Sequence, residues 1–326
     1  MHVDDTAALS RRRFLLTVGG VGAAAAIAPR RLLSGELPWR ERWLEELGPV
    51  QLIRNAAARD PIRVQEIRGN VRVLSGSGGN VAALPGSDGV LLVDSGIVGP
   101  KVAAAVATFS TAPVRHVINT HWHFDHTDAN AWLHAQGASI LAQENTRTRL
   151  MRDTRVEDWD FTFPRSVAGA LPTTTFRDEH TVALNGAHLA LRRYEPAHTD
   201  ADISVHFTDA DVLHVADTWW NGFYPFIDYS TGGSIDGTIR ATERNLAAAS
   251  ERTLIIPGHG EVGDREALGR WRDMLVGVRE RVATLKGQGR TMAETVAAKP
   301  TAPFDAEYGQ AIIGPDFFTR LVYKGV

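Results

Sequence analysis

A chain of 326 residues with 44% hydrophobic and 22% charged residues has the composition of a soluble globular protein and is long enough to bury a large core. Its 35 basic and 38 acidic residues leave a net charge of −3, too balanced for a nucleic-acid surface or a disordered acidic tail. It has no cysteine, which excludes disulfides, thiolate metal ligands, a cysteine nucleophile and lipidation at a cysteine.

Residues 1–30 read as a separate signal segment. Arg11, Arg12 and Arg13 precede an apolar run, Phe14 to Ala28, that ends in small residues. A basic start, an apolar middle and a small-residue end are the layout of an export signal. The run is too short, and too rich in Gly and Ala, for a membrane span. Ser10-Arg11-Arg12-Arg13-Phe14-Leu15 resembles the twin-arginine leader. That implies the twin-arginine translocase as a partner during export, and a periplasmic or otherwise extracytoplasmic location. Ala26-Ile27-Ala28 has the small-x-small form of a cleavage site, but Pro29 obstructs it. A cut within Ala23 to Ala26 and an uncleaved anchor therefore both stay open.

Residues 31–66 form an N-terminal helical extension, with Leu37 to Ile53 as its amphipathic helix. From Ile67 short apolar runs with Gly punctuation predict strands at 71–75, 80–84 and 89–96. Gly76 to Asn80 is a hairpin turn, because it lacks the Lys-Ser/Thr tail of a phosphate loop. A helix with Pro in its first turn follows at Pro100 to Phe109, then a buried strand at Arg115 to Thr120 and a helix at Asp128 to Gly137. Arg152 to Arg177 shows little periodicity and reads as a loop flanking a site. Strands return at 181–184, 188–194, 203–208 and 211–217. A helix over Ser234 to Ser250 and a strand over Thr253 to Gly260 follow them. The remainder, about 265–326, is a helical tail. Two strand-rich halves with helices predict an α/β (α+β) chain: two mixed β-sheets face to face with outer helices, a four-layer αββα sandwich over 67–326.

The chemistry concentrates at strand ends. His121, His123, Asp125 and His126 follow one strand; His198, Asp217 and His259 follow three others. In extended chain alternate side chains point the same way, so His121 and His123 can face one metal while Asp125 and His126 reach a second. Imidazole and carboxylate donors suit zinc, with iron or manganese possible.

These residues resemble the metallo-β-lactamase superfamily of metal-dependent hydrolases. The resemblance implies the αββα fold with a two-metal site at one edge. It puts His121, His123 and His198 on the first metal and Asp125, His126 and His259 on the second, with Asp217 bridging. Asp94 matches an aspartate that hydrogen-bonds a ligand histidine, with a turn cap as the other reading. The best-known antibiotic-hydrolysing members carry a cysteine where Asp217 stands and a substrate-holding lysine where Trp220 stands. The bridging aspartate is more similar to the thioesterase, lactonase and general hydrolase branches, but no basic cluster is present for glutathione.

Trp219, Trp220, Phe223, Tyr224 and Phe226 follow Asp217; a pocket wall and core packing both stay open for them. Asn221 or Tyr224 is the candidate oxyanion donor. His116, His134, His180, His188, His206 and His214 lack matching partners and read as structural or solvent-facing. No Gly-x-Ser-x-Gly elbow exists for a serine hydrolase.

The expected protein is a dinuclear zinc hydrolase in which a metal-bridging hydroxide, oriented by Asp125, cleaves an ester, lactone or amide of a small molecule. Its alternatives are β-lactamase or thioesterase activity at the same site, a mono-iron oxidoreductase resembling the persulfide dioxygenases, and a metal-binding protein without catalysis.

Overall fold

The computed structural model describes the backbone of residues 39–326 and the side chains from residue 48 onward. The leader segment lies outside the described residues. Helix α1 (Trp39–Arg59) is not the single amphipathic helix expected over Leu37 to Ile53. Gly48 adopts φ 69°, ψ 158°, and Pro49 begins a new helix at the kink. Pro has no N–H to donate and is pre-set for a first turn, so the pair divides α1. The second part ends against Lys101, whose ammonium donates to the carbonyls of Ala57, at 2.6 Å, and Asp60. A cation there satisfies the open carbonyls of the last turn.

The first sheet contains β1 (Arg63–Glu66), β2 (Arg72–Ser75), β3 (Val81–Leu84), β4 (Val90–Val93), β5 (Val114–Asn119), β6 (Ser139–Gln143) and a strand at Thr174–Phe176. The first four are antiparallel; from β4 onward the pairing is parallel. Parallel pairs need crossovers, which are supplied by α2 (Gly99–Val106) between β4 and β5, and by α3 (Phe124–Thr127) and α4 (Asn130–Ala135) between β5 and β6. Side chains alternate faces: Leu91 and Val93 enter the inter-sheet core, while Val90 and Leu92 pack with Val102 of α2 and Leu133 of α4.

Between β6 and that last strand runs α5 (Glu144–Leu150), followed by a hairpin of β7 (Thr154–Val156) and β8 (Phe161–Phe163); the strand at Thr174–Phe176 is β9. The stretch expected as a loop thus contains paired strands. Three residues per strand are too few for alternation to show, and the turn depends on Asp160 at φ 48°.

The second sheet is β10 (Glu179–Leu184), β11 (Ala187–Arg193), β12 (Ile203–Phe207), β13 (Val212–Trp220) and β14 (Leu254–His259), with only the last pair parallel. Leu189, Leu191, Val205, Phe207 and Ile256 meet the first sheet. The outer face is covered by α6 (Ile235–Ala248), α7 (Arg265–Gly287), α8 (Met292–Ala297), α9 (Asp305–Tyr308) and α10 (Pro315–Gly325), through Trp219, Trp271, Leu275, Phe318 and Leu321. The layers are the αββα sandwich expected. Among the described residues no helix is long and apolar enough to cross a membrane.

Asp217 is not where the sequence pattern put it. β13 continues to Trp220, so Asp217 lies inside the strand. Ala216, at φ 47°, breaks the register with β14 immediately before it. An alanine in the left-handed region is strained and re-aims its neighbour, as bulges beside functional sites do.

Candidate metal centre

The site forms where strands of both sheets end on one edge of the sandwich. β4 delivers Asp94, β5 delivers residues 121–126, the β11–β12 connection delivers His198, β13 delivers Asp217, and β14 ends on His259. Their ligand atoms fall into two groups, each within 4.8 Å: His121, His123, His198 and Asp217; and Asp125, His126 and His259. Asp217 also reaches the second group, with its carboxylate 3.1 Å from His126 Nε2 and 3.4 Å from His198 Nε2 and His259 Nε2. All seven predicted ligands come together.

The outer hydrogen bonds fit a site built for cations. His198 Nδ1 donates to the Phe226 carbonyl at 2.8 Å, and His123 Nε2 faces the Asp228 carboxylate at 3.1 Å. His126 Nδ1 donates to Asp94 Oδ2 at 2.8 Å. Thr120 Oγ1 donates to Asp94 and so accepts from His121 Nδ1 at 3.1 Å. Each of these imidazoles therefore has one nitrogen engaged outward and turns the other into the site. His198 Nε2 and His123 Nδ1 stand 2.8 Å apart. His121 Nε2, His126 Nε2 and Asp217 Oδ1 are buried without a hydrogen-bond partner. Such convergence is repulsive unless a positive charge sits between the donors, and the donor set fits two divalent ions.

Close backbone approach builds the floor. A Cβ on Gly79 would lie 2.2 Å from the His126 ring, and one on Gly258 would lie 1.9 Å from Asp217 Oδ1. Glycine is required at both positions for space alone. The hairpin turn predicted at Gly76 to Asn80 is thus also a seat for His126. Asp228, Thr120 and Gly79 were not singled out by the sequence. Asp228 in the run Phe226-Ile227-Asp228 carried one signal, a charged residue in an otherwise apolar stretch. His214 is buried and bonds the Asn80 carbonyl and the Ala216 N–H, a structural role.

A cleft of about 730 Å³ opens over the ligands, with Trp159, Trp220, Asn221, Phe223 and Phe226 in its lining. Trp220 lies over the His259 ring at 4.3 Å between centroids. Trp219 is fully buried in the helix-side core. Of the two candidate oxyanion donors, Tyr224 is engaged away from the cleft, while Asn221 lines it. Tyr224 is buried, its hydroxyl donating to Asp305 at 2.8 Å and to the Thr301 carbonyl at 3.2 Å. Asn221 Nδ2 donates to the Glu261 carbonyl at 2.8 Å. The Tyr224 hydroxyl ties the strand end to the C-terminal segment, and Asn221 ties it to the turn after β14.

The family described as the metallo-beta-lactamase superfamily matches residues 75–259, more than half of the chain and the whole ligand set. The chain belongs to that superfamily. The 2,4-dinitroanisole O-demethylase subunit alpha of Nocardioides sp. (strain JS1661) is 29% identical over 164 residues, 48% of this chain and 46% of that protein. The chain thus spans about half the length of the curated relative it matches. Among solved structures, DIM-1 metallo-beta-lactamase superposes with a TM-score of 0.54 at 19% identity, over 66% of this chain and 97% of that one. The Pisa1 sec-alkylsulfatase from Pseudomonas sp. reaches 0.60 at 16% identity, over 84% and 51%. At such identities the structural likeness shows the fold alone.

Before a metal binds, protons on two of the histidines offset the buried carboxylates. Burial lowers His259, but Asp217 and Asp125 outweigh it and raise it to about 9. Burial also lowers His126, and Asp125, Asp217 and Asp94 together hold it well above its ordinary range. Burial lowers His198 to about 4, with Asp217 offsetting only part, and pushes His121 down as well. At neutral pH burial keeps His121 and His198 neutral, whereas an ion entering the second group must displace protons from His126 and His259. Calorimetric titration in buffers of different ionisation enthalpy should therefore record about two protons released with the second ion at pH 7. Each unit of acidification below 9 should weaken the second ion about tenfold or more, and the first ion should persist to lower pH.

Replacing Asp228 by Ala leaves the His123 Nε2–H without its acceptor. Affinity at the first group should fall about 10–100-fold in chelator competition, while the second group keeps its ion. An equal loss at both groups would mean that the local fold, not the His123 hydrogen bond, had been damaged.

Proposed function

We propose that the chain is a metal-dependent hydrolase that carries two zinc ions and cleaves an ester, lactone or amide bond of a small molecule. One observation carries the reading: inward-turned imidazole nitrogens and carboxylate oxygens face one another at the floor of a largely apolar cleft. Zinc held by these residues supplies Lewis acidity and lowers the pKa of water to about 7. His121, His123 and His198, fixed by their outer partners, would hold one ion. Asp125, His126 and His259 would hold the other, and Asp217 would be shared. Burial pushes the Asp125 carboxyl up, but His126 and His259 outweigh it and bring it below its ordinary value. Asp125 is therefore an acceptor at neutral pH and orients the attacking water. Trp159, Trp220 and Phe226 exclude bulk water from the reacting end, which strengthens every charge interaction there.

The completeness of the second group supports two metals over the mono-iron oxidoreductase reading. The O-demethylase relative supports a second reaction, hydrolysis of an aryl alkyl ether: water adds, the ether C–O bond breaks, and a phenol and an alcohol leave. The proposal sets the reaction outside the cytoplasm, supported by the leader pattern at Ser10 to Leu15.

Protein purified without added metal should contain about two zinc ions per chain. It should hydrolyse members of a panel of chromogenic esters, lactones, β-lactams and aryl ethers. A chelator should remove the activity and zinc should restore it. One iron with no zinc overturns the reading, and a silent panel with two zinc ions bound favours the non-catalytic alternative.

A further inference from the structure

The cleft has a side that the superfamily match does not cover. Residues 75–259 supply its floor and one wall, through the metal ligands, Trp159, Trp220 and Phe226. The facing wall comes from outside that span: Ile53, Ala56 and Ala57 of α1, and Ala311 and Ile312 of the segment before α10. None of these five carries a charge. The α1 part is fixed in place, since Arg54 pairs with Asp128 at 2.8 Å and lies over the Phe124 ring at 5.1 Å.

The charges at the rim decide what the cleft accepts. Among the described residues, the lining away from the metal ligands includes two basic groups, Arg63 and Arg270, and two acidic ones, Asp60 and Glu261. Their formal charges cancel. Both arginines are also engaged: Arg63 with Glu261 at 3.2 Å and Arg270 with Glu266 at 2.6 Å. A substrate anion remote from the reacting bond would lose water and gain no surplus cation, whereas an apolar group would gain a dry wall.

We infer that the site takes a neutral substrate whose non-reacting part is apolar, an alkyl chain or aromatic ring seated against Ile53, Ala56 and Ile312. The N-terminal helix and the C-terminal segment, rather than the superfamily core, then set specificity. This rests on the hydrolase reading only for the bond that is broken.

The test compares two esters of one leaving group on the zinc-loaded full chain. 4-Nitrophenyl butyrate should exceed mono-4-nitrophenyl succinate in kcat/KM by about tenfold or more. Ala56→Phe, which fills the wall, should raise KM progressively from the acetyl to the hexanoyl ester. Ile312 is partly buried, so Ile312→Lys places a cation there without emptying the core, and should raise the relative rate of the succinate ester about tenfold. Equal or inverted rates for the two esters, or indifference to both substitutions, overturn the inference and leave the hydrolase reading intact. If neither ester turns over, binding decides the substrate class. Trp159 and Trp220 line the cleft, so their fluorescence should be quenched at lower concentration by 4-nitrotoluene than by 4-nitrobenzenesulfonate. The reverse order overturns the inference.

Discussion

Replacing Asp217 by Asn should abolish turnover and empty at least half of the metal centre. The side chain is buried, and its oxygens stand between 3.1 and 3.4 Å from imidazole nitrogens of both ligand groups. Burial alone would raise this carboxyl, yet His259, His126 and His198 outweigh it and hold it well below its ordinary value. Asn keeps the shape that rests on Gly258 but removes half of the carboxylate charge the ligand set contributes. We expect kcat/KM to fall at least about a thousandfold, a rise of about 4 kcal/mol in the barrier, with no more than one ion retained. The pH behaviour of the metal-free protein should change too. His259 at about 9 lies above its unfolded value, so its contribution is complete below the unfolded pKa and is lost as pH rises through 9. In the Asn variant most of that alkaline loss should vanish from a series of unfolding curves. Normal turnover with two ions bound would show that Asp217 does not bridge.

The parts of this site that the sequence exposed are those encoded by spacing. His121, His123, Asp125 and His126 are contiguous, and extended chain followed by a helical turn is enough to aim them. His198 and His259 were found because each follows a segment patterned as a strand, alternating before His198 and continuously apolar before His259. Asp217 was found by the same pattern for a reason that proved incomplete: the apolar run continues through Trp219 and Trp220, and a strained Ala216 inside the strand turns the carboxylate. Partners that act across long sequence separations left no such trace. Asp228 meets His123 from 105 positions away, and the wall formed by Ile53 and Ile312 joins the two ends of the described chain. The aromatic run after Asp217 shows the limit most clearly. Trp220, Phe223 and Phe226 line the cleft, while Trp219 and Tyr224, equally apolar in sequence, are packed in the core. Only the course of the backbone separates them.

Gly79→Ala should damage the second ligand group as severely as loss of a ligand, although Gly79 carries no side chain to donate. An added Cβ would fall 2.2 Å from Cε1, 2.5 Å from Nε2 and 2.9 Å from Nδ1 of His126. Neither partner can yield cheaply. The ring is completely buried and fixed through Nδ1 to Asp94 at 2.8 Å; Asp94 in turn accepts from the Thr120 N–H and hydroxyl. The Gly79 backbone is held as well, donating to the Asp125 carbonyl at 3.1 Å, while Asn80 donates to that of Gly258 at 2.8 Å. The methyl group must therefore either push the imidazole off its carboxylate or pull the turn away from Asp125 and Gly258. Overpacking of this kind typically costs about 1–3 kcal/mol of stability. The larger effect falls on the ion, because a ligand misplaced by an ångström no longer coordinates: activity should drop about a hundredfold or more, with the second ion lost before the first. Ser77→Ala, in the same turn, tests whether any disturbance there suffices. Its hydroxyl bonds only the backbone N–H groups of Ile97 and Val98, so both ions should stay. Equal damage from the two substitutions would assign the effect to the turn rather than to the contact between Gly79 and the imidazole.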